Sequence, residues 1–343
     1  MKFVKILLFF LTALFYQTTI AQEIHWTMYD MSPLTLNPAN TGAFEGTFRI
    51  GGIYRDQYNS ISNATGYRTP SFYVDAPILR GFGKNDWVGI GGVFYNDQTG
   101  TANLTDSGFL GSASYHLSLN KKGTTHLTLG VQGGMISRRV EANNTNWLFA
   151  EEIDIDLGGG GLNPGEATDR ANMADKQYFD LNAGLLLTSN LNKTTTMRLG
   201  IAFKHITQPE YNLLNSTTEK LPMRLTAHGT FDIGLSDKWM LSPSFLFNNI
   251  STMNEGAIQA LLGYHFNKDL TLKFGPGYRL GDAVAVIVGV DYKQFRAGVS
   301  YDITVSNLST TNRNQGGFEI GLWYIARIFK QPVAKPVIFC PRF

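Results

Sequence analysis

His126-Leu127-Thr128-Leu129-Gly130-Val131-Gln132-Gly133-Gly134-Met135-Ile136 is the stretch whose reading decides the fold. Leu127, Leu129, Val131 and Met135 take one parity; His126, Thr128, Gln132 and two glycines take the other. Side chains of a strand point alternately to opposite faces, so one face of this segment meets an apolar medium and the other a polar one. The same pattern recurs over 47–56, 71–79, 86–96, 107–119, 176–188, 194–206, 221–235, 238–249, 255–266, 270–280, 283–292, 295–304 and 316–326. A soluble sandwich uses such alternation once or twice. About fourteen strands of roughly ten residues predict an all-β, transmembrane, antiparallel barrel of the outer-membrane kind.

The N-terminus points the same way. Lys2 and Lys5 precede an apolar run from Ile6 to Tyr16, and Thr19 and Ala21 supply a small-x-small cleavage site. Residues 1–21 therefore read as a secretory signal, which leaves a mature chain beginning at Gln22. After it come a proline- and asparagine-rich segment over 22–46, expected to plug the barrel or sit in the periplasm, the barrel over 47–327, and a tail over 328–343. No later stretch of the 343 residues is apolar enough to span a bilayer as a helix. Cys340 is the single cysteine, so no internal disulfide forms; its reading is a packed thiol in the tail. A net charge of +2 without a basic cluster argues against nucleic acid as a partner.

Connection lengths give an independent test. With the first strand running outward, alternate connections are short: Arg80–Asn85, Asn120–Gly123, Ser189–Lys193, Ser236–Asp237, Asn267–Asp269 and Lys293–Gln294. The complementary set is mostly longer, at about 57–70, 97–106, 138–175, 207–220 and 305–315, with short exceptions near 250–254 and 281–282. Short periplasmic turns and long outer loops are the asymmetry expected of bacterial barrels, and an even strand count puts both ends in the periplasm.

The faces follow. Phe109, Leu129, Phe179, Ile201, Phe274, Val286 and Phe318 fall on the lipid parity. Trp87, Tyr95, Trp239, Tyr278, Tyr301 and Tyr324 lie near strand ends, where aromatic girdles form. Arg49, Arg55, Asp75, Asp180, Arg198, Lys204, Arg224, His228, Asp232, Lys273, Arg279, Arg296, Asp302 and Glu319 fall on the lumen parity. An Arg or Lys on the lipid face at midplane costs about 2–4 kcal/mol, which accounts for the segregation. These lumen charges either pair into a filled network or line a path for an anionic solute or acidic peptide.

Catalysis and metal binding find little support. Glu151, Glu152, Asp154 and Asp156 invite calcium, but glycines follow the cluster where an EF-hand places one inside it, and a solvated acidic loop is the simpler reading. His116, His126 and His228 read as inward, with Ser112, Ser114 and Thr128 near in sequence, yet no nucleophile elbow or zinc motif accompanies them. No enzymatic activity, cofactor or metal is expected.

Short elements set within the alternation carry a resemblance. Asn37-Pro38-Ala39-Asn40-Thr41-Gly42, Tyr54-Arg55-Asp56-Gln57-Tyr58, Val74-Asp75-Ala76-Pro77, Phe179-Asp180-Leu181-Asn182-Ala183-Gly184, Leu221-Pro222-Met223-Arg224, Gly277-Tyr278-Arg279, Gly298-Val299-Ser300-Tyr301-Asp302 and Cys340-Pro341-Arg342-Phe343 follow one another in the order seen in the PorP/SprF family of type IX secretion membrane proteins, which the chain resembles throughout its mature length. The resemblance implies an outer-membrane protein without catalysis. Its implied partners are the C-terminal domain of a large secreted adhesin, the secretion machinery or a periplasmic cell-wall-linking protein, and outer-membrane lipid; in gliding bacteria that role supports adhesin secretion and surface attachment. Arg55, Asp75, Arg198, Arg224, Arg279, Arg296 and Asp302 are the candidate lumen or partner contacts. The Asn-Pro-Ala element also resembles the hatch of FadL-type transporters, so a transport barrel for a small solute is the alternative; the charged inner face speaks against it.

Overall fold

The computed structural model describes residues 24–57, 67–80, 83, 85–100, 102–141, 153–154, 161–162, 173–213 and 219–328. Sixteen strands are present among them: β1 Phe48–Gln57, β2 Tyr67–Arg80, β3 Trp87–Thr99, β4 Leu104–Ser118, β5 Thr125–Arg139, β6 Ile153–Asp154, β7 Gly161–Leu162, β8 Lys176–Asn190, β9 Thr195–Lys204, β10 Arg224–Gly234, β11 Trp239–Ile250, β12 Met253–His265, β13 Leu270–Arg279, β14 Ala283–Tyr292, β15 Phe295–Thr304 and β16 Gln315–Ala326. All but β6 and β7 form one closed antiparallel barrel of fourteen strands, each paired with its neighbour in sequence and the last with the first. Phe48 lies opposite Ala326 and Gln57 opposite Gly317. β6 and β7 pair only with each other, within the predicted loop 138–175. No helix of the described residues is long and apolar enough to cross a membrane.

The alternation maps onto the two faces as expected. Phe109 is 66 % exposed and Phe72 62 %, part of an apolar outer surface that suits a bilayer. One parity step away, Arg55 is 2 % exposed and Glu319 is fully buried, which places these charges inside the barrel. Two aromatic assignments are corrected. Trp87 and Tyr95 do not join a girdle. Both take the inward parity of β3, with Val93 between them, and Trp87 stacks on His116 with centroids 4.3 Å apart. Trp239, Tyr278 and Tyr301 do stay on the outer surface.

Strand ends differ from expectation for local reasons. β9 stops at Lys204, not 206, because His205 adopts φ +56° and turns the chain away from β10. The connection between β3 and β4 shrinks to residues 100–103, with Gly100 at φ +67° making the tight turn. β2 begins at Tyr67 and runs through Pro70, where a boundary was expected. Pro70, Pro243 and Pro276 lack an N–H, and each sits beside a gap in a ladder: between β2 and β3 next to Ser71–Tyr95, between β10 and β11 beyond Thr230–Ser244, and between β12 and β13 beyond Gln259–Gly277. The barrel absorbs these prolines by omitting pairs without ending strands.

Candidate functional site

The proline- and asparagine-rich stretch ahead of β1 lies within the barrel. Its prolines exclude a strand ladder but suit short turns, and it folds as a 3-10 turn at Tyr29–Met31, a helical turn at Pro33–Leu36 and a second 3-10 turn at Pro38–Asn40. Leu34, Ala39, Asn37 and Thr41 are fully buried against the inner wall. Trp26, Met28, Tyr29 and Met31 join Ile53, Leu246, Ala285 and Ile287 in one apolar cluster; Leu34 joins Tyr73, Val93 and Leu110 in another. Burial also raises the Tyr29 phenol pKa above its ordinary range, while Tyr29 donates a 2.7 Å hydrogen bond to Ser244.

Three anchors tie this strap to the wall. At the end of the barrel nearer the long loops, Glu319 accepts from the backbone N–H groups of Thr27 at 2.6 Å and Met28 at 2.7 Å. Arg55 binds Glu319, reaches Asp302 at 2.9 Å and donates to the Thr27 hydroxyl at 3.0 Å; that hydroxyl donates in turn to Asp302 at 2.8 Å. Arg279 completes the group, 2.7 Å from both Asp302 and Asp282. Gln259 donates to the Thr27 carbonyl. Burying four charges is tolerable only because each is paired and hydrogen-bonded on several sides.

The second anchor sits at mid-height. Asn37 accepts from Ala39 N–H at 2.9 Å, which shapes its own turn, and its amide donates to the carbonyl of Leu185 at 3.0 Å and lies 3.1 Å from His228. Glycines on the wall let the strap approach this closely. A Cβ at Gly130 would collide with the backbone of Pro38 and Ala39, and one at Gly184 with the Asn37 side chain. Gly130→Leu is therefore expected to destabilise the folded barrel by about 1–3 kcal/mol through overpacking. Gly111→Ala is the control, since its Cβ would meet only the Gly133 carbonyl oxygen at 3.9 Å. Urea titration in micelles, read as the shift in electrophoretic mobility on unfolding, compares the two; equal midpoints would mean that the strap does not rest on Gly130.

The third anchor is at the short-turn end. Asp75 accepts from Nε and one terminal nitrogen of Arg49, at 2.9 and 2.7 Å, and from the Gly42 N–H at 2.7 Å. The Arg49 guanidinium is sandwiched among Phe44, Tyr73 and Trp323, with centroid distances of 4.7, 5.5 and 5.4 Å. Trp87 donates to the Gly42 carbonyl at 3.0 Å. His116 is held on both ring nitrogens, by Thr128 at 2.8 Å and by Ser114 and the Thr41 carbonyl at 2.9 Å.

The seven candidate residues thus divide. Arg55, Arg279 and Asp302 meet in the upper anchor, and Asp75 lies in the lower one. Arg198 pairs with Asp232 at 2.6 Å on the wall; Arg296 pairs with Asp291 at 2.5 Å and also lies 3.9 Å from Asp30 of the strap. Arg224 lines a cavity with Lys204 and His205. Glu319, Arg49 and Asn37 matter as much as any of the seven and were not among them, although Glu319 and Arg49 stood on the inward parity. The acidic cluster at 151–156 and Cys340 lie outside the described residues, apart from the backbone of β6. Among the described residues no group of three or more His, Cys, Asp or Glu is placed to hold a metal.

A closed fourteen-stranded barrel with an apolar exterior, its residues 24–46 packed against the inner wall, defines an outer-membrane barrel. The chain belongs to the family described as type IX secretion system membrane protein PorP/SprF, whose model matches residues 18–324. No curated protein matches it. Among solved structures it is similar to the Ralstonia pickettii toluene transporter TbuX, at TM-score 0.51 and 12 % identity over 87 % of this chain and 94 % of that one. It is also similar to the CymD monoaromatic hydrocarbon channel, at 0.50 and 11 % over 90 % and 95 %, and to the P. putida toluene transporter TodX, at 0.50 and 12 % over 86 % and 93 %. At such identities the likeness concerns the fold alone.

Proposed function

We propose that this protein is a non-enzymatic outer-membrane component of type IX secretion that partners the export and surface attachment of a large adhesin through the adhesin's C-terminal domain. The observation that carries the reading is the family match across residues 18–324. The filled lumen supports it: a barrel whose interior is clamped at three heights serves better as a binding platform than as an open pore. In this reading the first residues are a cleaved signal, the short turns and both barrel ends face the periplasm and meet machinery or a cell-wall-linking protein, and the long loops face the exterior and the adhesin. Deleting the gene is expected to abolish surface display of one large adhesin while leaving other secreted proteins in place. Surface labelling followed by whole-cell proteomics measures both; undisturbed display of every adhesin would refute the assignment. The resemblance in fold to hydrocarbon transporters favours a second reading, passage of a small solute. The buried charges of the upper anchor weigh against it.

A further inference from the structure

The short turns at one end of the barrel share a composition that turn geometry does not require. Leu119, Leu191, Leu235, Phe266 and Tyr292 stand at, or one residue past, the ends of β4, β8, β10, β12 and β14, each 49–59 % exposed. They continue the lipid-facing parity of their strands: Leu119 follows the exposed Leu117, Phe266 is in step with Ile258 and Tyr292 with Val288. One to three residues further on come Lys121, Lys122, Lys193, Lys238, Lys268 and Lys293, all exposed. Other side chains shape these turns. Asn120 accepts from the Thr124 N–H at 3.0 Å, Asn192 from Thr194 at 2.8 Å, Ser236 from Trp239 at 3.2 Å and Asn267 from Leu270 at 2.9 Å. Lys293 even occupies a left-handed position, φ +54°, where glycine or asparagine is the unstrained choice, with its Nζ 5.3 Å from the centre of the Tyr292 ring.

Charge is balanced differently at the two ends of the barrel. Toward the long loops Arg138 pairs with Asp106 at 3.1 Å, Arg139 with Asp175 at 3.6 Å and Lys176 with Glu210 at 3.8 Å. Among the described residues none of the six short-turn lysines forms an ion pair, and Asp237 and Asp269 are the acids within those five turns. A lysine just beyond a lipid-facing leucine or phenylalanine sits at headgroup depth, its stem along apolar surface and its ammonium at the level of the phosphates. The apolar side chains point along the membrane plane, so the charges beside them meet lipid before they meet a soluble protein.

We propose that this rim binds anionic phospholipid headgroups, each of the five turns presenting one apolar foot and its lysine to the leaflet it meets. The collar sets the depth of the barrel in the membrane and gathers anionic lipid around it. The assignment rests on the membrane barrel and stands apart from the secretion reading.

The test reconstitutes the full-length protein in nanodiscs of equal phosphatidylglycerol and phosphatidylcholine with the same acyl chains. The protein is then released into mild detergent and its retained lipids are counted by native mass spectrometry. Phosphatidylglycerol is expected to be retained roughly fivefold or more over phosphatidylcholine, as lysines at a membrane surface attract anionic lipid. The combined variant Lys121→Gln, Lys122→Gln, Lys193→Gln, Lys238→Gln, Lys268→Gln and Lys293→Gln is expected to bring that ratio close to one. Arg139→Gln with Lys176→Gln, at the other end, is expected to keep it. Equal retention of the two lipids by the unaltered protein overturns the proposal whatever the variants do, and so does a preference that survives in the combined variant. Binding of soluble polyglutamate to the protein in phosphatidylcholine nanodiscs, together with equal lipid retention, would assign the rim to an acidic protein instead.

Discussion

Replacing Glu319 with alanine is expected to cost about 3–5 kcal/mol of stability, the largest single-residue effect in the molecule, because it breaks a buried ion pair from one side. The carboxylate has three tasks. It neutralises Arg55, and its two oxygens receive the N–H groups of Thr27 and Met28. Alanine leaves two backbone donors without their acceptor and leaves Arg55 with Asp302 as its carboxylate partner, one that Asp302 already shares with Arg279. An orphaned buried donor alone costs about 1–3 kcal/mol. Glu319→Gln retains an acceptor oxygen and is expected to lose less. Urea unfolding in micelles for the two variants ranks these terms. A Glu319→Ala midpoint equal to that of the unaltered protein would mean that the upper anchor contributes nothing to holding the strap.

Removal of residues 24–46 is the second large perturbation. With the strap anchored to the wall at three heights, planar-bilayer recordings of the whole protein are expected to be nearly silent. Without it, conductance is expected to rise by roughly tenfold or more, since wide barrels left unfilled enclose an aqueous channel. The trace should be noisy, because Arg55, Arg49 and Asp75 lose strap partners and the wall side chains rearrange. A deletion variant that folds, inserts and stays silent would show that the wall fills its own lumen.

The barrel was legible in the sequence because burial in lipid imposes a rule on every second residue, and a slip of one position would expose charge to the bilayer. That is why Arg55, Asp302 and Glu319 were placed inward from parity alone. Parity says which face a side chain takes but not which partner it meets there. Arg55 and Glu319 are 264 residues apart, and Thr27 and Glu319 are 292 apart. Their meeting depends on closure of the whole cylinder, for which local sequence holds no signal. Trp87 and Tyr95 were misassigned for a related reason: an aromatic near a strand end suggests the interface, but the parity of β3 turns both inward. The prolines at 70, 243 and 276 misled only about boundaries, since a barrel wall can drop a pair without losing a strand. The Asn37–Gly42 element was visible as a motif, and its role as a mid-lumen anchor required the facing glycines to be seen.

The partnership of Glu319 with Thr27 and Met28 also orders the birth of the molecule. The side chain that grips the start of the chain belongs to the last strand made, and that strand is the one that seals the wall against β1. Until β16 exists the strap has neither a closed chamber nor its strongest hold. A nascent barrel lacking β16 is therefore open along one seam and without its upper anchor at once, and both defects are repaired by a single docking event that brings β16 against β1 and the strap ahead of it.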